Sequence, residues 1–170
     1  FSEDGDNMGI IFTSDEKGVY DKEFILPLLD MDTELLHIPP TEYSVDLKLS
    51  GQIFEKITEQ LAVFADSVKI SCNEKQILLK TPQSAAIEQG TMEVKINFDD
   101  VLEYAIEEDL ELDLLFSLNY LIWMVQFSKI ATEMNLHFKK GVPMKMTYCL
   151  GEDSYIQFFL APKYDDEQYY

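Results

Sequence analysis

Tyr155-Ile156-Gln157-Phe158-Phe159-Leu160-Ala161-Pro162-Lys163 is an extended, aromatic-rich segment that stops at a proline. Proline has no N–H to give to a β-ladder, so a strand over these residues ends at or before Ala161. The acidic run Tyr164-Asp165-Asp166-Glu167 follows. Reading backwards, Met144/Met146/Tyr148 and Met134/Leu136/Phe138 alternate as strands around the turn residues Lys140-Gly141-Val142-Pro143. Leu118, Leu121, Ile122 and Val125 recur at helical spacing, with Ser117 as a candidate cap. Leu112, Leu114 and Phe116 alternate just before them.

The same order occurs about 67 residues earlier. Val45, Leu47 and Leu49 alternate, Ser50 is a candidate cap, and Ile53, Phe54, Ile57, Leu61 and Phe64 outline a helix. Val68/Ile70 and Ile77/Leu79 then flank a turn at Asn73-Glu74-Lys75. A strand–helix–strands unit present twice predicts an α+β domain with two helices packed on one side of antiparallel sheets. Between the halves Met92, Val94, Ile96 and Phe98 alternate, and the flank from Thr81 to Ile87 has no clear buried face. That pattern predicts an edge strand, whose unpaired backbone groups can pair with another subunit.

Residues 1–28 predict a hairpin: Met8 to Phe12 is apolar, Ser14-Asp15-Glu16-Lys17-Gly18 is turn chemistry, and Val19 to Leu29 resumes an extended pattern. Two strands do not make a stable sheet, so this hairpin is expected to complete a domain whose earlier part lies outside the sequence. Residues 29–42 read as a linker, charged at Asp30-Met31-Asp32-Thr33-Glu34 and stiffened by Pro39-Pro40. Leu35, Leu36 and Ile38 are apolar on this otherwise polar stretch; they either fold onto a neighbouring core or form part of a docking surface.

The chain carries 13 basic and 32 acidic residues, a net charge of −19, and every basic residue is lysine. This balance argues against nucleic-acid binding over the whole surface, though not against a local basic stripe. Cys72 and Cys149 sit in apolar strand settings and read as buried thiols rather than a disulfide framework. The longest apolar stretch, Leu112 to Phe127, is interrupted by Asp113, Ser117, Asn119 and Gln126 and does not predict a membrane span. The run Glu107-Glu108-Asp109-Leu110-Glu111-Leu112-Asp113 is too dense for an acid–base pair and reads as a solvated loop entering a strand. The segment from Asp30 opens like a calcium loop but has Leu35 and Thr41 where glycine and glutamate belong. His37, His137 and the cysteines lack metal-ligand spacing, no phosphate loop or serine elbow is present, and Trp123 reads as core. No enzyme activity and no cofactor are expected.

Taken together, the segment Met31-Asp32-Thr33-Glu34-Leu35-Leu36-His37-Ile38-Pro39, the Glu42-Tyr43-Ser44 start, Asp66 to Cys72, Val142-Pro143 and the Leu-Ala-Pro-Lys tail resemble the eukaryotic-type DNA sliding clamps of the proliferating cell nuclear antigen family. The resemblance implies a clamp fold with curved sheets. Residues 1–28 would be the end of the N-terminal domain, 29–42 the interdomain connector, 43–163 the C-terminal domain and 164–170 an acidic tail. It further implies a nuclear, homotrimeric ring that encircles double-stranded DNA, is placed there by a clamp loader, and docks DNA polymerase and other replication and repair proteins through a clamp-binding peptide.

Carried over by the resemblance, the peptide pocket comprises Leu36, Ile38, Tyr43, Pro143, Phe159, Ala161 and Pro162. From the residues alone these side chains either pack on one another or receive an aromatic plug. The subunit contact would pair Gly18 to Leu26, including Gly18, Val19 and Tyr20, with a segment from about Ser84 to Val94, including Ile87, Met92 and Val94. The DNA-facing positions are Lys56 on the first helix and Asn119, Gln126 and Lys129 on or after the second. Here the chain departs from the family, whose inner helices carry several basic residues. A clamp-like interaction protein, or a subunit of a heterotrimeric checkpoint-type clamp that does not itself hold DNA tightly, is the alternative.

Overall fold

The computed structural model describes residues 6–28, 38–82, 90–151 and 154–163, which divide into two compact units at Pro40 and Thr41. In the first unit, β1 (Asn7–Phe12) and β2 (Lys22–Pro27) form an antiparallel ribbon with Asn7 opposite Pro27 and Phe12 opposite Lys22. Every residue of β2 is exposed, including Phe24, Ile25 and Leu26, because two strands have nothing of their own to close over them. Gly18 takes φ +92° in the connection, a conformation glycine adopts without steric cost.

In the second unit, β3 (Val45–Ser50) leads into α1 (Gly51–Ala62), followed by β4 (Ser67–Asn73), β5 (Gln76–Lys80) and β6 (Glu93–Ile96). A short 3-10 turn, Phe98–Asp100, precedes β7 (Val101–Ile106). The second repeat is β8 (Leu112–Ser117), α2 (Leu118–Val125), a 3-10 turn at Gln126–Lys129, β9 (Glu133–Phe138), β10 (Met144–Gly151) and β11 (Ser154–Leu160). All strand pairings are antiparallel.

The repeats exchange their first strands. One sheet has the order β11-β10-β9-β3-β7, so β3 of the first repeat pairs with β9 of the second. The other has the order β6-β5-β4-β8, so β8 of the second repeat pairs with β4 of the first. The exchange explains why neither helix uses the serine before it as a side-chain cap. Ser50 and Ser117 occupy the N-cap positions but make no side-chain cap bond. Instead Gly51 N–H donates to the Thr132 carbonyl at 3.0 Å and Leu118 N–H to the Asp66 carbonyl at 2.9 Å, each across the exchanged strand pair. Helix N–H groups left open by the fold thus find backbone acceptors in the neighbouring repeat.

Inward alternation on both sheets and one stripe on each helix make a single core. Phe54, Thr58 and Leu61 of α1 and Leu118, Leu121, Met124 and Val125 of α2 are buried, and the two helices pack side by side. Leu47, Leu136 and Met146 lie opposite one another across β3, β9 and β10, all at most 2% exposed. At the start of α1 a Cβ on Gly51 would come within 3.1 Å of Ser128 Cβ, so the glycine lets that helix approach the turn after α2. Strand β7 is an element that hydrophobic alternation alone did not mark: its Leu102 is 53% exposed on the outer edge of the sheet.

Candidate functional site

The outer face of the five-stranded sheet, opposite the core, carries a row of directly paired residues. Phe159 on β11 faces Lys145 on β10, Lys145 faces His137 on β9, and His137 faces Asp46 on β3. His137 Nδ1 is hydrogen-bonded to the Asp46 carboxylate. Tyr43, in the extended segment before β3, lies over this row: its ring is 5.5 Å from that of His137, and the Lys145 ammonium stands 5.1 Å from its centroid. The Tyr43 hydroxyl donates to the Pro143 carbonyl at 3.3 Å, and partial burial raises its pKa above the ordinary phenol value. Lys139 Nζ fixes the preceding residue by donating to the Glu42 carbonyl at 2.9 Å.

Of the pocket positions, the structure joins Tyr43 to Pro143 directly and brings Lys145 between Tyr43 and Phe159. Pro143 and Ala161 are exposed, and Tyr43, Phe159 and Pro162 are half-buried. The chain leaves β11 at Leu160, crosses through Ala161 and Pro162, and pairs Lys163 with Leu115 on β8 of the other sheet. Lys163 Nζ then donates to Ser67 Oγ at 2.7 Å, which ties the proline-containing segment at both ends. Leu36 lies outside the described residues; Ile38, in the first unit, is 43% exposed.

The helix layer presents a different surface. The buried stripe of α1 leaves Gln52, Ile53, Lys56, Glu59 and Gln60 on its free side; that of α2 leaves Asn119, Tyr120 and Trp123, with Gln126 exposed at the start of the 3-10 turn. Lys129 follows, also exposed, at the end of the 3-10 turn. Lys56, Asn119, Gln126 and Lys129 are therefore all solvent-facing, but Lys56 shares its face with Glu59. Trp123 corrects the expectation of a core residue: it is 66% exposed and meets Tyr120, 55% exposed, edge to face at 6.0 Å. The signal was present in the spacing, because a stripe through Leu118, Leu121 and Val125 puts positions 120 and 123 on the far side of the helix.

At the sheet edges, β6 is paired on one side only, by β5. Met92 and Val94 turn their side chains onto the core, so this strand offers a partner its backbone rather than those two side chains. Thr81 is buried beneath and holds Met92 on both sides: its N–H donates to the Met92 carbonyl, and its Oγ1 accepts from Met92 N–H, each at 2.9 Å. Ile87 lies outside the described residues. Gly18, Val19 and Tyr20 fall in the β1–β2 connection rather than on β2, with Tyr20 81% exposed.

The acidic run forms no shaped carboxylate pair. Asp109 adopts φ +58° in the turn, where its N–H donates to Glu74 Oε1 at 3.3 Å. Asp113 is held by Lys69 Nζ at 3.1 Å and by the Ser71 hydroxyl. No group of three or more His, Cys, Asp or Glu side chains suited to a metal occurs among the described residues. Cys72 is buried as expected, but Cys149 is exposed, because it falls on the outer side of β10.

A family model described as "Proliferating cell nuclear antigen, C-terminal domain" matches residues 37–163. Among curated relatives, the proliferating cell nuclear antigen of Chaetomium thermophilum is 30% identical over 165 residues, covering 96% of this chain and 63% of the relative. That of Caenorhabditis elegans is 27% identical over 168 residues, covering 98% of this chain and 64% of the relative. The chain spans just under two thirds of the length of these relatives.

Proposed function

Because the chain belongs to the proliferating cell nuclear antigen family, we propose that it forms part of a DNA sliding clamp that works by topology rather than by catalysis. Three copies would close a ring around duplex DNA in the nucleus, with the free edge of β6 and the β2 hairpin as the pairing surfaces. A clamp loader would open and place the ring. Once closed, the ring turns repeated recruitment of a polymerase into an intramolecular event at high effective concentration.

The observation that carries this reading is the two-sided construction of the second unit. One side is a pair of helices whose free faces are neutral and amide-rich apart from Lys56, Glu59 and the flanking Lys129. Such a face suits a duplex that must slide rather than be gripped. On the opposite side, Tyr43, Pro143 and Phe159 gather around Lys145, and the tethered Ala161-Pro162 segment lies at the end of the neighbouring strand. That is where the aromatic plug of a polymerase or repair protein would dock.

The test is retention on plasmid DNA after loading with a cognate loader. A closed clamp stays on a nicked circle and is lost when the circle is cut once; equal loss from both forms overturns the reading. The weak electropositivity of the helix face favours a second reading, a clamp-like interaction protein that does not hold DNA. It predicts peptide binding at the Tyr43 surface without any preference for circles.

A further inference from the structure

Lysines on the two sheets of the second unit mostly have their charge answered. Lys48 bonds to Glu133 at 3.1 Å and Glu103 at 3.5 Å, Lys69 to Asp113 at 3.1 Å, and Lys80 to Glu93 at 3.3 Å. Lys145 differs. It is one of two lysines on the five-stranded sheet, with Lys48, and it has no ion pair among the described residues. The nearest carboxylate in its cross-strand row, Asp46, is engaged by His137. The Lys145 ammonium instead stands over the Tyr43 ring, beside Phe159. A cation held against an aromatic face keeps its attraction for a second, anionic partner, and Tyr43 fixes where that partner must sit. In a chain of net charge −19 without arginine, an unanswered lysine on the expected docking surface is a local reversal of sign.

The geometry points to Lys145 as a specificity residue: the Tyr43–Phe159 surface takes partner peptides in which a carboxylate side chain, aspartate or glutamate, neighbours the aromatic plug. This rests on the docking role proposed above and adds to it the charge of the partner. The carboxylate would meet the Lys145 ammonium on the side away from the Tyr43 ring, with His137 next in the row and already oriented by Asp46. Lys139 is directed to the Glu42 carbonyl and does not substitute for it.

A double-mutant cycle tests this with two synthetic peptides that share an aromatic plug and differ only in Asp or Asn beside it. Each is titrated into the wild-type chain and into Lys145→Met, which keeps the aliphatic stem but not the charge. The aspartate peptide is expected to bind wild type about two- to fivefold more tightly, the range of an exposed ion pair, and the preference should shrink with salt. In Lys145→Met the ratio should fall to about one. Equal binding of both peptides to wild type overturns the charge assignment and leaves the docking site standing. A preference that persists in Lys145→Met assigns it to another cation and overturns the role of Lys145. Binding of neither peptide removes the docking site itself. A Tyr43→Leu arm, in which the aspartate preference should weaken while the lysine is retained, separates the positioned cation from a diffuse charge effect.

Discussion

The backbone N–H of Lys163 donates to the carbonyl of Leu115 at 2.7 Å, joining the chain just beyond β11 of one sheet to β8 of the other. Its side chain reaches on to Ser67 Oγ at 2.7 Å, and Ser67 is buried at 7% exposure. Lys163→Ala removes the side-chain donor and is expected to destabilise the second unit by about 1 kcal/mol, the net worth of such a bond with a buried partner. Lys163→Pro also removes the N–H and should cost about 2 kcal/mol. Urea unfolding of wild type and the two variants checks the order; midpoints for both variants equal to that of wild type would show that the bridge contributes nothing.

Asp113 gives the stability of the chain an acid limb. Burial alone would raise its pKa, but the bonds from Ser71 and Lys69 more than reverse that, leaving the carboxyl below its ordinary value. The unfolded chain therefore takes up the proton first. The Asp113 contribution is complete above the ordinary aspartate pKa of about 3.9 and is lost as pH falls through the lower folded value. Asp113→Asn should be less stable than wild type at about pH 6, and the gap should narrow as the pH falls below the ordinary aspartate value of about 3.9. Thermal midpoints across that range measure it, and a gap that stays constant with pH would rule the linkage out.

The two thiols should behave differently toward alkylating reagents. Burial pushes the Cys72 thiol up to about 12, outweighing the opposing hydrogen bond with Tyr104, whereas Cys149 is exposed. Since the thiolate is the reacting species, native protein at neutral pH is expected to take up one equivalent quickly, at Cys149. Cys149→Ser should abolish that fast phase, and the second equivalent should appear only on denaturation. Mass-resolved labelling reports both sites.

Trp123 is the sole tryptophan and stands 66% exposed on the helix face. Its emission should be close to that of a solvated indole, and acrylamide should quench it efficiently. Trp123→Ala is expected to change stability by no more than about 0.5 kcal/mol, as for a surface position. In a ring loaded on DNA the same fluorophore should become shielded from acrylamide, which a chain bound only to partner peptides would not show.

How much of this was legible beforehand depends on what each residue's environment is made of. The α+β class, both helices, the hairpin turn at Asn73 to Lys75 and the edge position of β6 all follow from local periodicity and turn chemistry, which are properties of a single stretch of chain. Cap chemistry did not follow. Ser50 and Ser117 hold the cap positions, yet Thr132 and Asp66 supply the acceptors, because the acceptor comes from a strand brought in by the exchange. Strand β7 escaped notice because an edge strand with Leu102 outward lacks clean alternation. Cys149 sits in an apolar setting along the chain and still faces solvent, since its side of β10 is decided by pairing with β9 and β11. For the candidate site, Tyr43, Pro143 and Phe159 could be named from the family resemblance. Lys145 could not, because its neighbours arrive from β9, β11 and the segment before β3.

The reciprocal loan of β3 and β8 also says what would happen to half of this domain. The second repeat expressed alone would hold out β8 with no partner and leave β9 open, and the first would keep the β3–β7 pair but leave the other edge of β3 and one edge of β4 unpaired. Two such halves, each inserting its first strand into the other, would rebuild the domain as a symmetric pair. The duplication thus has the form of a dimer written as one polypeptide, and a protease nick between β7 and β8 would leave two pieces that stay clasped.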